Sequence, residues 1–302
     1  MKTLEAYEND IYMQSDFLKK FKKQKPLSTN SLKNTIFTGS GDSLVSAMLA
    51  EVISDFAARA FDPLDLLKNK QYSADKSVYF VSISGKTISN IKVAKTAKKS
   101  IAITSNPDSK LAKVCHETIL LSSPNSDVFT AGSISFLESA LTCISLVKDI
   151  KIPNNDTIFK KALHDAKKSG FTKRIFVLGN LTTFPLAMYC AAKFYEILGY
   201  DAHYERIEQF SHMELFSAQK NDTVIIFEEK NQHNTQLARN LKKVGLNVIH
   251  PYFESKNKIS QVLYYTYFSQ LLPLFEVKKK GQRDCHFVMA KKLRSVSDNM
   301  IY

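Results

Sequence analysis

Short apolar runs of strand length alternate with amphipathic stretches of helical length along almost the whole chain, a rhythm that suits parallel sheets covered by helices. Residues 3–24 read as a leading helix, with Leu4, Tyr7, Ile11, Leu18 and Phe21 near helical spacing and Pro26 to break it. TIFTGS (35–40), SVYFVSIS (77–84), SIAITS (100–105) and ETILLS (117–122) read as strands. Helices are expected from Ser43 to about Ala60, from about Ile88 to Lys98 and from about Thr130 to Val147. KDIKIPNNDT (148–157) interrupts the pattern with charge, proline and two asparagines and marks a boundary. The order then resumes: helix 157–169, strand RIFVLGN (174–180), helix Thr183 to Leu198, short strand DAHYE, and a loop with a short helix around Glu208 to Phe216. Strand TVIIF (223–227), helix 232–244, strand NVIHP, a long helix from about Ile259 to Val277 and a shorter one ending near Arg294 complete it. The expected fold is α/β: a helical leader (1–26), then two lobes (27–150 and 151–302), each a parallel sheet between two helical layers. Their like order suggests an ancient duplication.

Composition excludes several functions. With 302 residues, 44% of them apolar, the chain can bury one large core or two ordinary ones. The first segment lacks the apolar run of a signal peptide, and no apolar stretch reaches the roughly 20 residues of a membrane span, so a cytoplasmic protein is expected. Cys115, Cys143, Cys190 and Cys285 are widely separated, without CxxC spacing, and read as buried free thiols rather than zinc ligands. The net charge of +13 raises nucleic acid as a partner, but the lysines are scattered in ones and twos rather than gathered beside aromatic residues. A solvated lysine-rich surface or a small anionic substrate accounts for it, and neither nucleic acid nor membrane is expected as a partner.

Two loops carry the candidate chemistry. TIFTG runs into GSGDS and then a helix, at the carboxyl end of a parallel strand, where α/β sheets bind ligands. Gly39 and Gly41 let backbone amides approach an anion, Ser43 offers a hydroxyl, and the helix behind presents its positive end. The same residues also suit a tight strand–helix turn with Ser43 as its cap. The next strand ends in SISGKTISN, where Ser82, Ser84 and Thr87 surround Gly85 and can hold phosphate oxygens without a metal. Neighbouring strands would bring the two loops side by side. A dinucleotide site is the rival, but GSGDS lacks the third glycine of GxGxxG and no acid ends the next strand to take a ribose.

TGSGDSLVSA and SISGKTISN resemble the two phosphate loops of sugar isomerase (SIS) domains, and NDIYMQSDFL resembles the segment opening the isomerase half of glutamine:fructose-6-phosphate aminotransferase. The resemblance runs over nearly the whole chain and implies two SIS-type, flavodoxin-like lobes. It implies that Gly41, Ser43, Ser82, Ser84 and Thr87 bind the substrate's phosphate. AAKFYEILGY and EQFSHMEL resemble the aminotransferase's catalytic helix and histidine loop, with Glu196 and His212 sixteen residues apart as in the family. On that match Glu196 is the base moving a proton between C1 and C2, and His212 assists ring opening. Lys193, one turn before Glu196, matches an active-site lysine. DCHFVMAK resembles the family's closing stretch and puts Lys291 near O1 of the sugar, with Lys292 as a competing assignment. Enediol isomerisation needs such a carboxylate and a group titrating near working pH, and requires neither metal nor cofactor. In family dimers the histidine comes from the partner subunit, so a homodimer with shared sites is implied.

The likeness also weakens in places. Lys86 and Ile83 replace an acid and a glutamine of the aminotransferase loop. VFTAGSISF keeps Thr130 as a candidate substrate-binding hydroxyl but lacks the family's lysine. GNLTTFP has lost the second glycine, which fits a lobe that no longer holds phosphate. The chain opens at the isomerase segment, so no amidotransferase domain is expected and glutamine is not expected as a nitrogen donor. Three readings remain: an aldose–ketose isomerase of sugar 6-phosphates, a glucosamine-6-phosphate deaminase, and a non-catalytic sugar-phosphate sensor.

Overall fold

The computed structural model describes residues 2–124, 126 and 128–301. In chain order its elements are α1 (Thr3–Lys20), α2 (Thr29–Leu32), β1 (Thr35–Thr38), α3 (Asp42–Ile53), β2 (Arg59–Phe61), α4 (Pro63–Lys68), β3 (Ser77–Val81), α5 (Ile88–Ala94), β4 (Lys99–Thr104), α6 (Lys110–Val114), β5 (Glu117–Leu120) and α7 (Ile134–Val147). Then come α8 (Asn155–Lys168), β6 (Arg174–Leu178), α9 (Thr183–Leu198), β7 (Asp201–Glu205), α10 (Ile207–His212), β8 (Thr223–Ile226), α11 (Gln232–Lys243), β9 (Asn247–Ile249), α12 (Lys258–Lys279), α13 (His286–Met289) and α14 (Lys291–Ile301). The chain forms two compact units. An amino-terminal lobe comprises Asp16–Asp127, Gly132–Ile150 and Ala290–Tyr302, and a carboxy-terminal lobe comprises Met1–Ser15, Val128–Ala131 and Lys151–Met289.

The amino-terminal lobe holds a parallel sheet in the order β2-β1-β3-β4-β5. The chain builds outward from β1 in one direction and then in the other, so winding reverses between β1 and β3. On one face Ile36, Val78, Phe80 and Ala102 meet Leu66 of α4, Val93 and Ala94 of α5 and Leu111 of α6 in a buried cluster. The alternate residues Phe37 and Tyr79 stack at 5.0 Å on the other face, where α3 packs against β1, β3 and α7. The helix expected up to Ala60 stops at Ile53, because Asp55 and Phe56 turn the chain at φ 52° and 62°. Arg59–Phe61 then pairs with β1 as a short edge strand, and Asp62 caps Leu64 N–H at 2.8 Å to start α4 on Pro63.

In the carboxy-terminal lobe the parallel order is β7-β6-β8-β9, with the reversal between β6 and β8. Phe176, Leu178, Val224 and Ile226 pack with Ile207 and Phe210 of α10 and Leu241 of α11. The opposite face carries α9, on which α12 packs together with α8. Here a buried polar chain is satisfied internally: Gln14 donates to Gln270 at 2.7 Å, and Gln270 donates to the Tyr189 hydroxyl at 2.9 Å. Each lobe is therefore a three-layer αβα unit, and the second sheet repeats the order of the first four strands of the first.

Candidate active site

In the amino-terminal lobe, β1 and β3 pair in register Thr38↔Phe80, so Gly39–Ser43 and Ser82–Thr87 leave adjacent strand ends at the winding reversal. Such a switch point opens a crevice at the carboxyl edge of a doubly wound sheet. A Cβ on Gly39 would lie 2.6 Å from Ser43 Cβ and 2.9 Å from Val81 O, so only glycine lets the turn close this tightly. Gly41 precedes α3 at φ 58°, ψ −128°, a backbone region closed to other residues. Helices α2, α4, α6, α8, α11 and α12 are each capped by a Ser, Asp or Asn side chain, whereas among the described residues no side-chain cap bond is made at α3, α5, α7, α9 or α10. Ser43 is not a cap, and its hydroxyl makes no hydrogen bond among the described residues. Ser82 and Thr87 are buried with their hydroxyl oxygens 3.3 Å apart, and Ser84 Oγ accepts only a long 3.4 Å bond from Lys86 N–H. The two adjacent strand ends thus carry helix starts without side-chain caps, a bonded Ser82–Thr87 hydroxyl pair and, in Ser43, a hydroxyl without a hydrogen-bond partner among the described residues.

The corresponding turn of the carboxy-terminal lobe, Gly179–Thr183, keeps the same shape without the second glycine. A Cβ on Gly179 would lie 2.6 Å from the Thr183 carbonyl, and Leu181 itself takes φ 47° where the first lobe has Gly41. The seat is filled from within. Register Leu178↔Ile226 brings Glu228 beside the turn, and its Oε1 accepts from Asn180 N–H at 2.7 Å, Thr183 Oγ1 at 2.8 Å and Asn180 Nδ2 at 3.3 Å. Burial pushes the Glu228 carboxyl above the ordinary glutamate range, and these hydrogen bonds oppose that rise. Sequence reasoning missed Glu228 because it opens the charged run EEK, which reads as solvated loop.

The remaining candidates fall into groups. Glu196 lies near the end of α9 with its side chain 34% exposed, and Lys193, fully buried, holds Oε2 at 2.5 Å and stacks over the Tyr189 ring at 4.7 Å. The Glu196 charge reaches Cys285, whose thiol is raised chiefly by burial and lies 3.6 Å from Thr130 Oγ1. Glu196, Lys193, Thr130 and Cys285 therefore share one neighbourhood. Because α7 starts at Ile134, Thr130 sits in the preceding loop, where its hydroxyl donates to Thr3 O at 2.8 Å. His212, at the end of α10, pairs instead with Glu208 at 3.2 Å, both exposed. Lys291 and Lys292 open α14, both exposed and without an ion-pair partner among the described residues. Among the described residues no group of three or more His, Cys, Asp or Glu is placed to hold a metal, and no helix is long and apolar enough to cross a membrane.

No protein-family model matches the chain, and no curated protein is significantly similar to it in sequence. Solved structures are similar in fold. Glucosamine-6-phosphate deaminase from Thermotoga maritima superimposes with a TM-score of 0.74 at 17% identity over 94% of this chain and 96% of that one. Tagatose-6-phosphate ketose/aldose isomerase from Escherichia coli gives 0.67 at 15% identity over 93% and 90%. The C-terminal domain of glucosamine-fructose-6-phosphate aminotransferase from Francisella tularensis gives 0.66 at 15% identity over 92% and 97%. With such TM-scores over nearly the full length of both chains, this chain has a sugar isomerase (SIS) type fold.

Proposed function

We propose that this protein is a phosphosugar isomerase interconverting aldose and ketose hexose 6-phosphates, amino sugars included, by proton transfer through an enediol. The observation that supports the reading is the contrast between the two switch points: the Glu228 carboxylate addresses one turn, while the other has helix starts without side-chain caps, the hydroxyls of Ser82, Ser84 and Thr87, and a Ser43 hydroxyl unbonded among the described residues. In this reading Ser43, Ser82, Ser84, Thr87 and the amide at Gly41 take the phosphate. Glu196 removes the proton from one of the sugar's first two carbons and returns it to the other. Lys193 holds the carboxylate in one orientation, so little reorganisation accompanies transfer. His212 assists ring opening, and Lys291 polarises O1, with Thr130 as a further substrate contact.

A homodimer with shared sites belongs to the proposal. His212 is 71% exposed, and beside it Met213 and Phe216 are 56% and 84% exposed, an apolar surface that a second copy would cover. A second reading, glucosamine-6-phosphate deaminase, is favoured by the likeness to the Thermotoga maritima enzyme and by the Lys193–Glu196 pair, since loss of ammonia from C2 uses the same proton shuttle. Incubation with fructose 6-phosphate and, separately, glucosamine 6-phosphate tests both, following aldose formation and ammonia release. Aldose alone supports the isomerase and ammonia the deaminase. Tight binding without turnover of either sugar overturns both and leaves a sugar-phosphate sensor.

A further inference from the structure

The carboxy-terminal lobe has a small cavity of about 190 Å³ lined by Lys161, Asp165, Lys168, Lys230, His250 and Pro251. Its place in the fold is informative. His250 directly follows β9, Lys230 lies in the loop leaving β8, and Lys161, Asp165 and Lys168 share one face of α8 at helical spacing. The cavity is thus at the carboxyl edge of a parallel sheet, where such sheets take ligands. The switch-point seat of the same sheet is already filled by the Glu228 carboxylate, so an external anion has this neighbouring hollow as its place.

Charge accounting shows what the hollow lacks. Asp165 is the single carboxylate in the lining, and it is engaged by Lys161 and by the Tyr264 hydroxyl. Lys168 and Lys230 have no carboxylate partner among the described residues. His250 is bonded through Nε2 to the Glu228 carbonyl at 3.0 Å; a carbonyl only accepts, so Nε2 carries the proton and Nδ1 is the nitrogen that can gain one. Burial first, then the positive charges of Lys230 and Lys242, hold the ring below the ordinary histidine range, so the hollow is electropositive even with His250 neutral. Its volume is well below the roughly 300–1,000 Å³ of pockets for drug-sized ligands, which favours a small anion.

We propose that this cavity is a second anion site, taking a phosphate dianion, free or as the terminal group of a monoester, on Lys168, Lys230 and His250. The proposal does not rest on the function assigned above. It is tested in the full-length chain carrying Ser43→Ala and Ser84→Ala, which silences the β1/β3 loops, with inorganic phosphate titrated in while the His250 ring is followed by NMR. Phosphate is expected to shift His250 saturably and to raise its pKa. Adding Lys168→Ala and Lys230→Ala, both on exposed side chains, is expected to weaken that binding about tenfold or more per lysine. Fructose 6-phosphate separates the two sources: an equal shift means that a monoester enters, and a shift with phosphate alone means the free ion. A His250 ring unmoved by either, or affinity unchanged without the two lysines, overturns the proposal. If Ser43→Ala with Ser84→Ala leaves sugar-phosphate affinity at the wild-type level, the β1/β3 reading fails while the second site stands.

Discussion

The two tight turns offer a paired perturbation that separates packing from binding. An alanine at position 39 would put Cβ 2.6 Å from Ser43 Cβ and 2.9 Å from both Ser43 C and Val81 O. Carbon atoms pack at about 3.5–4.0 Å, so the β1–α3 turn must withdraw by about 1 Å, and most of what it meets is backbone that cannot rotate aside. Overpacking of this kind costs about 1–3 kcal/mol. At position 179 the same change puts Cβ 2.6 Å from the Thr183 carbonyl carbon and oxygen, so the stability loss should match. Binding should not. A shift of about 1 Å in the first turn displaces Ser43 and the leading amides of α3, and each hydrogen bond to a charged group lost is worth about 1.5–3 kcal/mol, or at least tenfold in affinity. Urea denaturation of Gly39→Ala and Gly179→Ala, with calorimetric titration of fructose 6-phosphate, reads both quantities. Wild-type affinity in Gly39→Ala, or an equal affinity loss in Gly179→Ala, would refute the assignment of the anion seat to the first turn.

Glu196→Gln should abolish turnover, measured as aldose formation, while leaving sugar-phosphate affinity nearly intact, because the carboxylate acts on a carbon-bound proton; retained activity removes the mechanism. Mixing Glu196→Gln chains with His212→Ala chains should restore about a quarter of wild-type activity through heterodimers with one intact site of two, whereas no recovery would argue against shared sites. Glu138 is buried and accepts Ser122 N–H at 2.8 Å and Ser123 N–H at 2.7 Å, so Glu138→Ala should cost about 2–4 kcal/mol in urea denaturation by stranding two amides. For Glu228, a raised carboxyl means that the folded chain holds the proton more readily than the unfolded one. Relative to Glu228→Gln, wild-type stability should fall as pH rises from about 4.5 through the folded value and be flat outside that window; a fall on acidification instead would contradict the burial argument.

Strand ends and their loops were legible because β1, β3 and β4 are buried along nearly their whole length, and Gly39, Gly41 and Gly85 punctuate runs of hydroxyl residues. β2 was not, since Arg59–Phe61 is three half-exposed residues with no period to read. The short α4 and α6 were absorbed into loops for a similar reason: each is set by one cap, Asp62 or Ser109, rather than by an apolar stripe. The missing glycine of GNLTTFP was visible and fitted a lobe without phosphate, but that Leu181 itself takes a positive φ was not legible, because that depends on the turn around it. Glu228 and the cationic hollow lay beyond reach for another reason: residues 48 positions apart meet at one, and α8, the β8 loop and β9 converge on the other. Only strand register brings such groups together.

The two turns share a backbone shape and differ in what faces them. Both present a helix start without a side-chain cap from its own N-cap residue, behind a turn held tight by glycine. An uncapped helix start leaves amide donors and a positive dipole end that favour a nearby anion. In the carboxy-terminal lobe Glu228 supplies that anion at the cost of partial burial, which is why its carboxyl is raised even though three donors address it. In the amino-terminal lobe the facing loop offers the neutral hydroxyls of Ser82, Ser84 and Thr87 where the other lobe has Glu228, and the acid at the turn is Asp42 in the first turn of α3 itself. In the proposed reading, a phosphate at the first turn takes the place that the Glu228 carboxylate fills at the second.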